Sequence, residues 1–212
     1  MEIVADAVEV TGAHSTLLAP TSLHVNSGDL LVVTGEPHSG HTALALALSG
    51  RLKPSRGRVL VDGADDPKAL RRRVAIVDGP EITEPEPSVP VRTAVAEGLS
   101  IAGRRSGRAA VRTWLAAHDL AEHADTRVEN LPATERTRLL VDLACAAKHT
   151  DALVLDTPDR HGGDPSSWFA LAKREARRQR AVVVLCSPHT ADRLAVPHAR
   201  VGADNRAEEG AR

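Results

Sequence analysis

Apolar and polar positions change period several times along the chain, and the changes divide it. Residues 3–10 alternate, as a half-buried strand does. Short apolar runs at 23–25, 30–33, 58–61, 74–77, 152–155 and 181–185 also read as strands, most of them closed by turn residues. Helical spacing governs 43–48, 70–73, 91–102, 108–118, 134–148, 165–180 and 191–195. Strands and helices alternate at both ends, while 79–131 holds helical signal alone. That order predicts an α/β fold: a mostly parallel sheet core, an N-terminal antiparallel β part, and an α-helical subdomain inserted after residue 78. The expected division is a core of 1–78 and 132–203, a helical unit of 79–131, and a flexible polar tail of 204–212.

Composition narrows the function. Hydrophobic residues make up 42% of the 212 and charged residues 26%, which is globular rather than disordered. The aromatics are Phe169, Trp114 and Trp168, too few for base-stacking platforms. The formal net charge of -1 gives no general attraction for polyanions, so no nucleic-acid partner is expected. Cys145 and Cys186 each lie beside apolar residues and read as buried thiols in a reducing compartment. No apolar run reaches the length of a bilayer span, and the first ten residues lack the basic-then-apolar pattern of a signal peptide.

The chemistry concentrates in 30–42, LLVVTGEPHSGHT. An apolar strand runs into Gly35, Glu36, Pro37, His38, Ser39, Gly40, His41 and Thr42, then into the helical run ALALAL. Strand, glycine-bounded loop and helix is the layout of the phosphate loop G-x4-G-K-[ST], whose backbone N–H groups cradle phosphates. Gly35, Gly40 and Thr42 hold the right spacing; His41 stands where the lysine belongs. Later, Leu153-Val154-Leu155-Asp156 places a carboxylate at a strand tip, where it could hold Mg²⁺ opposite Thr42.

In this order the segments resemble an ABC-transporter ATP-binding cassette over nearly the whole chain. Residues 51–63 (RLKPSRGRVLVDG), 70–77 (LRRRVAIV), 89–95 (VPVRTAV), 131–147 (LPATERTRLLVDLACAA) and 153–159 (LVLDTPD) are similar to that family's successive passages. The resemblance implies a P-loop NTPase-type core and ATP and Mg²⁺ as cofactors. Gly35, His38, Ser39, Gly40, His41 and Thr42 would contact nucleotide, and Thr42 and Asp156 the metal. It also implies a transmembrane transporter subunit as partner, a homodimer or heterodimer of cassettes, and a cytoplasmic place on the inner face of the membrane.

The departures from the family are specific. Asp78 stands where the family has a glutamine before the helical subdomain. Residues 131–135, LPATE, replace the signature LSGGQ. Thr157 occupies the catalytic-glutamate position. The switch histidine falls at Pro188, or at His189 with one extra loop residue, and the adenine-stacking aromatic falls at Ala13 or His14. Thr157 cannot accept a proton as a carboxylate does, and losing a general base removes about 10² to 10⁴ in rate. His41 is mostly neutral at pH 7; beside phosphate its pKa is expected to rise, so that nucleotide binding strengthens toward about pH 6. The resulting expectation is a degenerate ATPase that couples weak nucleotide binding to a membrane partner, with hydrolysis weak or absent. The alternatives are a regulatory or scaffold module that keeps the fold without nucleotide, and a phosphoryl-transfer enzyme of another P-loop class. The basic positions on the helix 165–180 (Lys173, Arg174, Arg177, Arg178 and Arg180) read as a solvated face.

Overall fold

In the computed structural model, residues 1–206 are described. The chain opens with β1 (Glu2–Thr11) and β2 (Thr16–Asn26), continues with β3 (Leu30–Thr34) and α1 (His41–Leu48), and then reaches β4 (Arg56–Val61), α2 (Pro67–Arg73) and β5 (Val74–Val77). The helical middle is α3 (Val91–Ile101), α4 (Arg108–Ala117), two short 3-10 turns, and α5 (Ala133–Ala144). It closes with β6 (Ala152–Asp156), a 3-10 turn at Pro158–His161, α6 (Pro165–Arg177), β7 (Ala181–Cys186), α7 (Pro188–Leu194) and β8 (Ala199–Arg200).

Two sheets carry the molecule. The first is antiparallel, in the order β2-β1-β4; the second is parallel, in the order β5-β6-β7-β3-β8. Every residue of β6 and β7 is buried, which explains why these strands are uninterrupted apolar runs: helices cover both faces of a parallel sheet. One core cluster joins the two sheets through α1, with Leu44 and Leu48 fully buried. A second lies inside the helical middle, built from Val91, Val95, Val111, Leu115 and Val128 with Leu139 and Leu143 of α5. A third packs α5 and α6, through Val141, Trp168 and Ala172, on the other face of the parallel sheet.

Some boundaries differ from the sequence reading, for local reasons. The strand expected at 23–25 begins at Thr16. Pro20 masks it, but β2 is a sheet edge, where a missing N–H is tolerated. The helix expected over 134–148 ends at Ala144, whose carbonyl accepts the Thr150 hydroxyl at 2.9 Å. The helix expected over 165–180 ends at Arg177, followed by Gln179 in a left-handed conformation. The basic face is not simply solvated: Arg174, Arg178 and Arg180 all reach the fully buried Glu175. The short strand β8 was not expected. Residues 204–206, expected within a flexible tail, are tied down. Asn205 Nδ2 donates to the Ser22 and Arg200 carbonyls, and Arg206 pairs with Asp6 at 2.7 Å. Residues 207–212 of that expected tail lie outside the described residues.

Candidate functional site

Four loops leave the carboxyl ends of the parallel strands β3, β5, β6 and β7, the edge where open α/β sheets hold ligands. They bring together the loop 35–40, Asp78, Asp156 with Thr157, and Ser187. The sequence placed these segments up to about 150 residues apart along the chain, a separation that the parallel crossovers close.

The loop after β3 depends on its two glycines. A Cβ on Gly35 would stand 2.2 Å from Ser39 Oγ and 3.0 Å from His41 Nε2. Gly40 has φ +108° and a Cβ there would meet the Leu17 carbonyl oxygen at 2.3 Å. The loop is therefore folded tightly on itself and against β2. Gly40 caps α1 with no side-chain bond, so the first-turn N–H groups of that helix remain free to meet an anion. Glu36, Pro37 and His38 are exposed, and His38 has φ +66°.

His41 is not a solvated lysine substitute. Its ring is buried and turned back toward Gly35, and its Nε2 and Ser39 Oγ have no hydrogen-bond partner among the described residues. Burial pushes the imidazole below its ordinary range; the charges of Asp156 and Asp159 pull the other way and do not prevail. This agrees with a ring that is mostly neutral at pH 7; the rise expected beside phosphate concerns the nucleotide-bound loop. Asp156 is fully buried, with one oxygen, Oδ2, left without a partner among the described residues. Burial raises its carboxyl above the usual range, against opposing effects of Thr42, His41, Arg160 and Thr157. The Thr42 and Thr157 hydroxyls flank it, the latter 3.4 Å from Oδ1. A buried unpaired carboxylate oxygen beside a loop threonine is a donor set suited to a hard divalent cation such as Mg²⁺.

Asp78 has the opposite surroundings. It is buried, yet Arg136 of α5 grips it with two N–H donors, at 2.8 and 3.2 Å. Arg160 donates to the same carboxylate at 3.2 Å, and His161 Nε2 lies 2.8 Å away. Burial alone would raise this carboxyl; His161, Arg136 and Arg160 outweigh it and hold it at about 2. Arg160 also reaches Glu84 at 2.7 Å and the Asp156 carbonyl at 3.0 Å. The network therefore ties the end of β5, the proline-rich loop, α5 and the turn after β6 into one cluster.

Asp159 makes a second staple. It accepts from the Ser187 N–H and hydroxyl and from the Thr190 hydroxyl, at 3.0, 2.8 and 2.8 Å. Ser187 thereby caps α7. His189, one of the two positions aligned with a switch histidine, is exposed on α7 and forms none of these bonds. Thr157 adopts φ +51° and ψ +56°, a left-handed conformation. Sequence reasoning did not single out Arg136, Arg160, His161 or Asp159. The available signal was Asp78 itself, an acid following the buried run Val74–Val77, which requires cations supplied from elsewhere.

The family model for ABC transporters matches residues 18–160. The chain belongs to the ABC transporter family. Among relatives of this ABC chain, the taurine import ATP-binding protein TauB of Pseudomonas entomophila is 33% identical over 161 residues, 74% of this chain and 60% of that protein. The spermidine/putrescine import ATP-binding protein PotA of Protochlamydia amoebophila is 27% identical over 158 residues, 74% of this chain and 42% of that protein. The ABC chain thus spans no more than 60% of the length of these two relatives. The fold is also that of a nucleotide-free ATP-binding cassette from an ABC transporter, with a TM-score of 0.68, 17% identity, and 92% of this chain and 84% of that chain covered. An ABC transporter ATP-binding protein structure from Pyrococcus furiosus superposes with a TM-score of 0.66, at 13% identity, covering 97% of this chain and 96% of that chain. Among the described residues of this ABC chain, no helix is long and apolar enough to cross a membrane.

Proposed function

We propose that this chain is the ATP-binding subunit of an ABC transporter in which nucleotide binding outlasts efficient hydrolysis. The observation that carries the reading is the glycine-built loop after β3 with unpartnered buried polar atoms on its inner side: Ser39 Oγ, His41 Nε2 and Asp156 Oδ2. Buried polar atoms are almost always satisfied; among the described residues three of the five orphans are these, the others being Glu135 Oε2 and His161 Nε2, and such a concentration supports a ligand or ordered water here. In this reading the N–H groups of residues 38–42 cradle the phosphates, and Thr42 and Asp156 hold Mg²⁺. The metal neutralises phosphate charge when bound. Thr157, a hydroxyl at the position of the family's glutamate, leaves an attacking water without its general base. His189, exposed on α7, is proposed only as the nearest histidine to the switch position.

The names of relatives extend the proposal. TauB and PotA are named as import ATP-binding proteins, which supports an import system with a transmembrane partner. The proposed division of labour keeps residues 1–78 and 132–203 as the nucleotide-facing core and the helices from residue 79 to 131 as the unit that meets that partner, through the end nearest the loop 79–90. Two cassettes, alike or different, complete the assembly beneath the membrane.

Binding of a fluorescent ATP analogue with and without Mg²⁺ tests the reading. Magnesium-dependent binding lost in Asp156→Ala supports it. Absence of binding at millimolar nucleotide favours the scaffold alternative, for which the saturation of Asp78 by Arg136, Arg160 and His161 is the specific observation. Steady phosphate release that Asp156→Ala abolishes would overturn the weak-hydrolysis part.

A further inference from the structure

Buried negative charge in this protein is met by arginine, with one exception. Among the described residues three carboxylate side chains are buried: Asp78, Glu175 and Asp156. Arg136 and Arg160 pair with Asp78, and Arg174, Arg178 and Arg180 pair with Glu175. Asp156 forms no ion pair among the described residues. The Thr157 hydroxyl lies 3.4 Å from its Oδ1, and its Oδ2 has no partner there. Arg160 approaches but donates to the Asp156 main-chain carbonyl, at 3.0 Å.

One histidine is buried among the described residues, and it interacts with the same carboxylate. His41 is 9% exposed, and its Nε2 has no hydrogen-bond partner among them. Burial is the main influence on this ring; of the charges, Asp156 acts on it most strongly and Asp159 next. On Asp156 burial likewise dominates, opposed by the Thr42 hydroxyl and then by His41. The loop turns polar atoms inward here: a Cβ on Gly35 would stand 3.0 Å from His41 Nε2 and 2.2 Å from Ser39 Oγ. An ordered water could satisfy the hydrogen bonds of such atoms, but it would not neutralise the carboxylate. Buried charges are paired or coordinate metals, and Asp156 is not paired.

We propose that His41 Nε2 and Asp156 Oδ2 bind a divalent transition metal of the Zn²⁺ or Co²⁺ class in preference to Mg²⁺. The donor chemistry selects the class. Mg²⁺ is held by oxygen ligands, whereas an imidazole nitrogen suits zinc and its transition-metal neighbours. Among the described residues no three His, Cys, Asp or Glu side chains form a group that could hold a metal. The Thr42 hydroxyl and water therefore complete the coordination, and micromolar affinity is expected rather than that of a four-ligand structural site. The inference rests on the loop and strand tip of the proposed function, but it makes His41 a ligand and needs no nucleotide. It also gives the missing lysine a physical substitute. Where the phosphate-loop pattern carries a built-in positive charge, this chain would carry a bound one.

The test uses the full chain with metal alone. Co²⁺ is the probe, because its visible absorption reports ligation by nitrogen. Saturable binding with a micromolar midpoint is expected, displaced by Zn²⁺ and resistant to about a hundredfold excess of Mg²⁺. His41→Gln and Asp156→Asn, their folds checked by circular dichroism, are each expected to weaken Co²⁺ binding more than about tenfold, a loss that removing even an outer-shell partner of a metal can produce. His149→Gln, at an exposed position just before β6, leaves the binding unchanged. The proposal is overturned by equal Co²⁺ affinity in wild type and His41→Gln, or by displacement with equimolar Mg²⁺. Absence of saturable binding also overturns it and leaves water as the partner of the two orphaned atoms. The two readings of the loop fail separately. Co²⁺ binding without binding of the ATP analogue removes the proposed function and keeps this inference; Mg²⁺-dependent analogue binding without the Co²⁺ signature does the reverse.

Discussion

Two buried carboxylates at neighbouring strand tips, Asp156 and Asp78, meet opposite fates. Asp156 is burdened by burial, keeps an unpartnered oxygen, and has its carboxyl pushed upward. Asp78 is equally hidden, but Arg136, Arg160 and His161 surround it and hold it at about 2. Here one remains open to a ligand and the other is absorbed into the scaffold. The contrast shows that burial alone does not set a carboxylate's state: Asp78 is the centre of an ion-pair hub, while Asp156 Oδ2 has no partner among the described residues.

The largest effect is expected at the hub. Removing one partner of a buried pair leaves uncompensated charge, which costs about 3–5 kcal/mol. Asp78→Ala strands Arg136 and is expected to lose that much in denaturant unfolding. A loss under about 1 kcal/mol would mean that the hub is solvated and that the two sites are alike.

Restoring the loop charge comes next. His41→Lys places a flexible ammonium where the imidazole is now buried. A charge-assisted contact is worth about 1.5–3 kcal/mol, so ATP affinity is expected to rise roughly 10- to 100-fold. An unchanged affinity in a folded variant would show that the loop no longer cradles phosphate, and the contrast with Asp78 would vanish.

Acid separates the two regions by pH. The folded state depresses the pKa of His41, so protonation favours the unfolded chain and stability falls as pH drops below about 6.5. Asp78 is also depressed, so its contribution is present above the usual carboxylate value and is lost as pH falls through about 4 toward 2. Melting temperatures across this range are expected to decline in two stages. His41→Gln removes the His41 contribution from the upper stage and leaves the lower one. If it leaves the decline near pH 6 untouched, His41 is not the group that burial keeps neutral.

The scaffold was legible because burial writes itself plainly: VAIV, LVLD and VVVL could only be covered strands. The glycine spacing of the loop was legible for the same reason, since Gly40 faces the Leu17 carbonyl and tolerates no side chain. What was hidden depends on partners distant in sequence. The arginines at 136 and 160 look like surface charges until the fold brings them 58 and 82 residues back to Asp78. The burial of His41 was hidden too, because periodicity does not reveal that the ring folds back toward Gly35.

The smallest effect is expected at Thr157, which stands between the two regions. It follows Asp156 directly, and its carbonyl accepts the Arg160 N–H at 3.1 Å, opening the turn that carries Arg160 and His161 to Asp78. A β-branched residue in the left-handed region is unfavourable by about 1–2 kcal/mol, whereas Asn adopts it readily. Thr157→Asn is therefore expected to gain about 1 kcal/mol and raise the melting temperature by roughly 2–4 °C. The hub holds the turn from one side and the strand tip from the other, so relieving the strain should stabilise without moving Asp156. The variant is accordingly expected to leave magnesium-dependent nucleotide binding within about twofold of wild type. A stabilised variant that loses that binding would show that the Thr157 hydroxyl, 3.4 Å from Asp156, belongs to the open site rather than to the turn.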